Sequence, residues 1–257
     1  MKLTSDMLAK MTGSAKHARR KQGYADFVNN HMATCSDLAK PHNQALCLSQ
    51  LFVESGYFRY TSEIWGPTRA QRGYEGRKDL GNVKAGDGSK FRGHGGIQVT
   101  GRANHSAVTK WIRSNIDANA PDFEEEPELL ASEEWFGATV MWYFDDCIPV
   151  AYLDAGDVHM VSAYVNNGGH RNRRINHLGE RFEAYTWAAL VYLGYDRDDV
   201  KGFQLDQGLI ADGIAGAKTL AALHDALVAL SLANQIEKTK PQSGGWLLNL
   251  LKGFQNA

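Results

Sequence analysis

Leu51-Phe-Val-Glu-Ser-Gly-Tyr-Phe-Arg-Tyr-Thr-Ser-Glu63 joins a helical pattern to an irregular one, and the rest of the chain can be read outward from it. Upstream, Leu48, Leu51, Phe52 and Ser55 recur at helical spacing, which predicts an amphipathic helix over about 43–55. Gly56 stands where a helix C-cap is expected. Glu54 then falls in the last helical turn, with Leu51 and Cys47 stacked behind it. The negative end of the helix dipole and apolar neighbours both disfavour a charged carboxylate, which suits a proton donor. Glu63 comes past a turn among Thr61, Ser62 and Trp65, a polar setting in which it is expected to stay ionised.

Two carboxylates in unlike environments, one protonated and one not, are what hydrolysis of a glycosidic bond requires. A helix end followed by a loop also carries two glutamates by chance, so the pair needs support from elsewhere in the chain. From Thr61 to about Gly101 helical periodicity disappears, and ten glycines between Gly66 and Gly101 mark a long loop with at most a short strand pair. Loops of that length inside a compact domain are usually functional. Within it, Ile97-Gln-Val-Thr100 reads as a short β-type segment whose alternation puts Gln98 and Thr100 on one side. Both can hydrogen-bond a water or a sugar hydroxyl. The glycines around them let backbone approach a bulky ligand. The pattern is not a phosphate loop, since Gly-x-Gly-x-x-Gly and Gly-Lys-Ser/Thr are both missing.

The chain has 257 residues, 43% hydrophobic and 10% aromatic, enough for one large domain or a domain with a small module. A formal net charge of −1 offers no global field for nucleic acid or an anionic membrane. Cys35, Cys47 and Cys147 match no metal-ligand spacing and are expected as reduced, mostly buried thiols. His94 and His105 lie near the glycine motif without the spacing or partners of a ligand set, so neither metal nor cofactor is expected. The first ten residues lack an uninterrupted apolar stretch, and no secretory leader is expected. No run of about eighteen apolar residues occurs, so stable membrane insertion is not expected either.

Helical patterns flank the glycine region. Thr4 or Ser5 caps a first helix and 14–31 reads as a second; after the loop come 104–115, 128–144, one capped by Asp157, and 176–193. A break falls at 194–202. Beyond it, Phe203-Gln through Leu223 holds an Asp212-Gly213 turn and a helix opened by Gly216 and packed through Thr219, Leu220 and Leu223. The end of the chain, with Pro241, Gly244 and Gly245 before Trp246-Leu-Leu-Asn-Leu-Leu-Lys, reads as a linker and a short amphipathic helix. That helix either docks on the body or meets a membrane surface or partner.

Glu54-Ser-Gly-x-Phe58, the second glutamate, and Phe91-Arg-Gly-His-Gly-Gly-Ile-Gln-Val-Thr-Gly-Arg-Ala-Asn104 together resemble glycoside hydrolase family 19, which includes chitinases and many phage endolysins. The resemblance covers roughly 40–190. It implies a mainly α, lysozyme-like fold with long glycine-rich loops and inverting, single-displacement hydrolysis of β-1,4 links between N-acetylated sugars. Carried over, Glu54 is the general acid and Glu63 the general base. Thr100 joins them as catalytic, and Gln98, Asn104, Tyr57 and Arg92 as substrate-binding residues. Tyr164-Val-Asn-Asn-Gly-Gly169 resembles the family's substrate-binding Ile-Asn-Gly-Gly segment; Asn166 fits by its preceding Val, Asn167 by its distance to the glycine pair. Asn176-His-Leu-Gly-Glu-Arg181 is similar to an element that brings Arg181 to the cleft, with His170-Arg-Asn-Arg-Arg-Ile175 inserted before it. That insertion either meets carboxylates of peptidoglycan or is a solvated loop.

The short interval from Glu54 to Glu63 is similar to the phage lysin branch, and 203–223 resembles an abbreviated peptidoglycan-binding repeat. The expected organisation is a catalytic domain over 1–195, a small α-helical wall-binding-like module over 196–235, and a linker with terminal helix over 236–257. The expected protein is a monomeric endolysin, made in a host bacterial cytoplasm and acting on peptidoglycan glycan strands once released. A chitinase, a lytic transglycosylase and a non-catalytic wall-binding protein are the alternatives.

Overall fold

The computed structural model describes residues 2–239. The chain is mainly α. Its helices, in order, are α1 (Ser5–Thr12), α2 (Ala18–His31), α3 (Pro41–Glu54), α4 (Arg69–Arg72), α5 (Asp87–Lys90), α6 (Arg102–Asn115), α7 (Phe136–Trp142), α8 (Val150–Asp154), α9 (Val158–Asn167), α10 (Leu178–Tyr192), α11 (Val200–Asp206) and α12 (Ala217–Thr239). Among the described residues no strand forms. The glycine region contains only isolated antiparallel bridges, Ser62 to His94 and His94 to Val99.

α3 is the axis of the fold. Every residue from Pro41 to Phe52 is buried, and α10, α12, α8 and α9 all pack on it. A helix enclosed on all sides must pair its polar side chains internally. Here Asn43 donates to Asp37 O and Asp154, Gln44 accepts from the Tyr192 hydroxyl, and Gln50 donates to Ser162 Oγ at 3.1 Å. Pro41 begins the helix at a position where a missing N–H costs nothing.

The helix ends at Glu54, with Ser55 as C-cap. Beyond it Gly56, Tyr57 and Phe58 all take positive φ, 56°, 60° and 69°. A tyrosine and a phenylalanine resist that region, so the reversal is held from outside. Phe58 is fully buried against Tyr24, Phe52 and Phe136. Arg20 of α2 donates to the carbonyls of Phe58 and Arg59 at 2.9 and 2.6 Å.

Several sequence expectations are corrected. The predicted helix over 14–31 starts at Ala18, because Ser14 and Lys21 close the α1–α2 corner. The predicted helix over 128–144 is a 3₁₀ turn at Pro127–Ala131, then α7, then a single π-helical turn at Tyr143–Cys147. The β-type segment at 97–100 is a tight turn: His94 and Val99 exchange backbone hydrogen bonds, and Gln98 sits between them at φ 55°. α12 continues to Thr239; the Trp246 to Phe254 helix lies outside the described residues. Phe203, Leu223 and Leu227 are buried in the same core as α3 and α10, so 196–235 leans directly on the rest of the chain.

Candidate active site

Glu54 closes α3 with its side chain 21% exposed and paired to Arg181, whose Nη2 donates to Oε1 at 2.5 Å. The apolar neighbours of Glu54 in sequence give no sign of this charged partner. The ring of apolar neighbours is interrupted by a guanidinium from α10, 127 positions along the chain. Arg181 itself is 1% exposed. Its Nη1 donates to Gln50 Oε1 at 2.5 Å and its Nε to Asn176 O at 3.2 Å. Its guanidinium is thus held by protein partners, and its contact with Glu54 is through Oε1. Tyr143, delivered by the π-helical turn, stands close enough that burial first, and then the charges of Cys147 and Glu54, push its phenol upward. The Tyr143 hydroxyl donates to Tyr164 O at 2.8 Å.

Glu63 is held in a different way. Its Oε1 accepts from Gln71 Nε2 at 2.9 Å and from the Tyr74 hydroxyl at 3.5 Å, and its Oε2 accepts from the Gly93 N–H at 3.2 Å. Its own N–H donates to Gly93 O at 2.7 Å. A carboxylate receiving several donors is the polar setting expected for this residue. Gln71 is buried and fully engaged: Nε2 also reaches Ile64 O, while Oε1 accepts from the N–H groups of Gly66 and Thr68. Thr68 and Gln71 form a reciprocal capping box at the start of α4. The Thr-x-x-Gln spacing is visible in the sequence, although the sequence reading passed over it.

The glycine turn brings Gln98 beside Glu63. A Cβ at Gly93 would lie 2.8 Å from Gln98 Oε1 and 3.4 Å from Glu63 Cβ, so glycine leaves the two side chains room where they converge. The turn is fixed to α7 by Gly96, whose N–H donates to Thr139 Oγ1 at 2.9 Å. Gln98 Nε2 donates to Gly95 O, Thr100 Oγ1 to Gln98 O, and Asn104 Nδ2 to Thr100 O. Gln98 and Thr100 are half-buried and Asn104 is exposed. Arg92 donates to Ser89 O at 3.1 Å. Tyr57 stacks on Phe52 and meets Trp187 of α10, and its phenol is pushed up by burial and by Glu180 and Glu183. Both members of the asparagine pair serve one loop: Asn166 Oδ1 accepts from Asn176 N, and Asn167 Oδ1 from His170 N.

Under the turn, His94 Nδ1 and His105 Nε2 are 3.1 Å apart and both rings are fully buried. His105 Nδ1 donates to Gly101 O, so its Nε2 accepts from His94 Nδ1 and His94 Nε2 is left without a partner. Burial, reinforced by His105 and Arg92, lowers His94 to about 3; burial, reinforced by Lys90, lowers His105 to about 4. Burial also pushes the Cys35 and Cys47 thiols to about 12 and Cys147 to about 11, which makes them unreactive. Hollows of about 380 Å³ lie elsewhere, one beside Asp145 and Cys147 and one beside His159 and His224, and neither is lined by Glu54 or Glu63.

In this mainly α chain one carboxyl group is thus paired with a buried arginine and another receives several polar donors. No family model matches the chain. Over 117 residues it is 34% identical to a Haemophilus influenzae protein described as a glycosyl hydrolase family 19 domain-containing protein. The match covers 45% of this chain and 50% of that protein, so the chain spans about half of that relative's length. This partial likeness supports a link to family 19 at the level of the glycoside hydrolase class.

Proposed function

We propose that this chain is an endolysin that hydrolyses β-1,4 glycosidic bonds of bacterial peptidoglycan by single displacement. The observation that carries the proposal is the unequal holding of two carboxyl groups, Glu54 by the buried Arg181 and Glu63 by Gln71, Tyr74 and the Gly93 N–H. Arg181 occupies Glu54 Oε1, so Oε2 carries the proton to the glycosidic oxygen as the bond to the anomeric carbon breaks. Glu63, steadied by Gln71, Tyr74 and Gly93, takes a proton from a water whose oxygen bonds to that carbon from the opposite face. Gln98 and Thr100 help orient that water and the sugar. The segment 196–235 serves as the wall-binding-like part, and the protein acts as a monomer on the wall after release from the cytoplasm in which it is made.

The test is mass spectrometry of fragments released from purified peptidoglycan by wild type, Glu54→Gln and Glu63→Gln. Saturated fragments with a reducing sugar, lost in both variants, are the expected result, and the terminal sugar identifies the bond. Anhydro-sugar products that survive Glu63→Gln would make the protein a lytic transglycosylase, which uses one glutamate and no water. Binding to sacculi without release of reducing sugar would make it a wall-binding protein.

A further inference from the structure

The loop 168–176 lies two hydrogen bonds from Glu54, through Arg181 and the Asn176 carbonyl. A merely solvated loop needs few anchors, and this one has several. Asn167 takes the His170 N–H and reaches Arg173 O at 3.5 Å, Asn166 takes the Asn176 N–H, and Ile175 is buried in the body. Two basic side chains here have acidic partners: Arg171 pairs with Asp157 at 3.3 Å, and His177 meets Glu180 at 2.7 Å. Arg173 and Arg174 are exposed, and no ion pair involves either among the described residues. A chain of net charge −1 thus presents two uncompensated guanidiniums on an anchored loop that is linked to Glu54 through Arg181.

We propose that Arg173 and Arg174 are specificity-determining residues that bind free carboxylates on the peptide substituents of the glycan, so that the cleft prefers an anionic glycopeptide to a neutral polysaccharide. The inference rests on the reading of this site as a glycan hydrolase. Guanidinium groups suit the task because they remain charged and pair with carboxylates through two N–H groups. Pairs at an exposed rim contribute mainly to encounter and to discrimination, and they weaken with salt.

The experiment compares reducing-sugar release from native sacculi and from sacculi whose carboxylates have been amidated chemically. For the Arg173→Gln/Arg174→Gln variant at low salt, kcat/KM on native sacculi should fall by about threefold to tenfold, as expected for two exposed charge contacts. Wild type on amidated sacculi should fall to the same level, the variant should cut both substrates alike, and Arg173→Lys/Arg174→Lys should recover much of the loss. Equal losses on both substrates would show a structural role and overturn the proposal, as would wild type cutting native and amidated sacculi equally well. Loss of all activity in Glu54→Gln and Glu63→Gln tests the hydrolase reading separately. If wild type released no reducing sugar from either substrate, that reading and this proposal would fall together.

Discussion

Mild acid should destabilise the fold at the glycine turn, through a buried pair of histidines. In the folded protein His94 and His105 are neutral, with one shared hydrogen bond between them and no water-facing surface. Unfolded, each takes a proton near the ordinary histidine value of 6.5; folded, they resist until about 3 and about 4. The unfolded state therefore binds more protons throughout that window, so the stability from this pair is complete above pH 6.5 and is lost as pH falls toward 4. At about 1.4 kcal/mol per pKa unit, moving from pH 7 to 5 removes on the order of 2 kcal/mol per histidine. For a chain of this size that corresponds to a fall in Tm of roughly 8–15 °C from the pair. Thermal melts across pH 4.5–7.5 should show a steep slope for wild type and a shallower one for His94→Asn/His105→Gln, whose amides retain hydrogen bonding without titrating. Other titrating groups contribute equally to both proteins, so the difference in slope isolates the pair. Parallel slopes would refute the reasoning.

Other outcomes follow from the same contacts. Gln71→Met keeps the volume of the side chain but removes a donor to Glu63; kcat should drop about 10- to 100-fold, as for other residues that orient a reacting group, in a steady-state assay on sacculi. Gly93→Ala should lower activity more than stability, because its Cβ would meet Gln98 Oε1 at 2.8 Å and that flexible end can move aside; paired Tm and rate measurements check this. Gly96→Ala should do the reverse, since its Cβ would lie 2.6 Å from Val140 and 3.0 Å from Leu51 in the packed core, with a cost of about 1–3 kcal/mol in denaturant unfolding. Lys21 is buried with Thr12 and Ser14 as its partners and burial lowers its pKa, so Lys21→Ala should open the α1–α2 corner, read as faster amide exchange in 5–21.

The helices were legible where periodicity and caps agree. α3 was expected from Leu48, Leu51 and Phe52 and from Gly56, and α9 from Asp157, whose carboxylate accepts from Met160 N. The π-helical turn was not legible, because Tyr143 and Phe144 continue the apolar pattern of α7 and the change is in backbone hydrogen bonding alone. Gln98 misled for a related reason: alternation in Ile97-Gln-Val-Thr100 looks like a strand, whereas the flanking glycines permit a turn in which a glutamine takes positive φ. The candidate carboxylates could be named from their motif. The pairing of Glu54 with Arg181 could not, since no local rule connects positions so far apart, and it changes the environment that neighbours in sequence suggested.

The packing of α12 on α3 bears on how such a molecule explores a surface. A binding element on a flexible tether lets its partner sweep a volume, and linker length sets the local concentration of target. Here Leu223 and Leu227 are sunk in the common core, His224 meets the Asp154 carbonyl at 3.1 Å, and its ring crosses that of His42. Wherever 196–235 came to rest on a polymer, the cleft would address it from one fixed offset and one heading. The interval between holding point and cutting point would then be a property of helix packing, as invariant as the pitch of a tool mounted on its own frame.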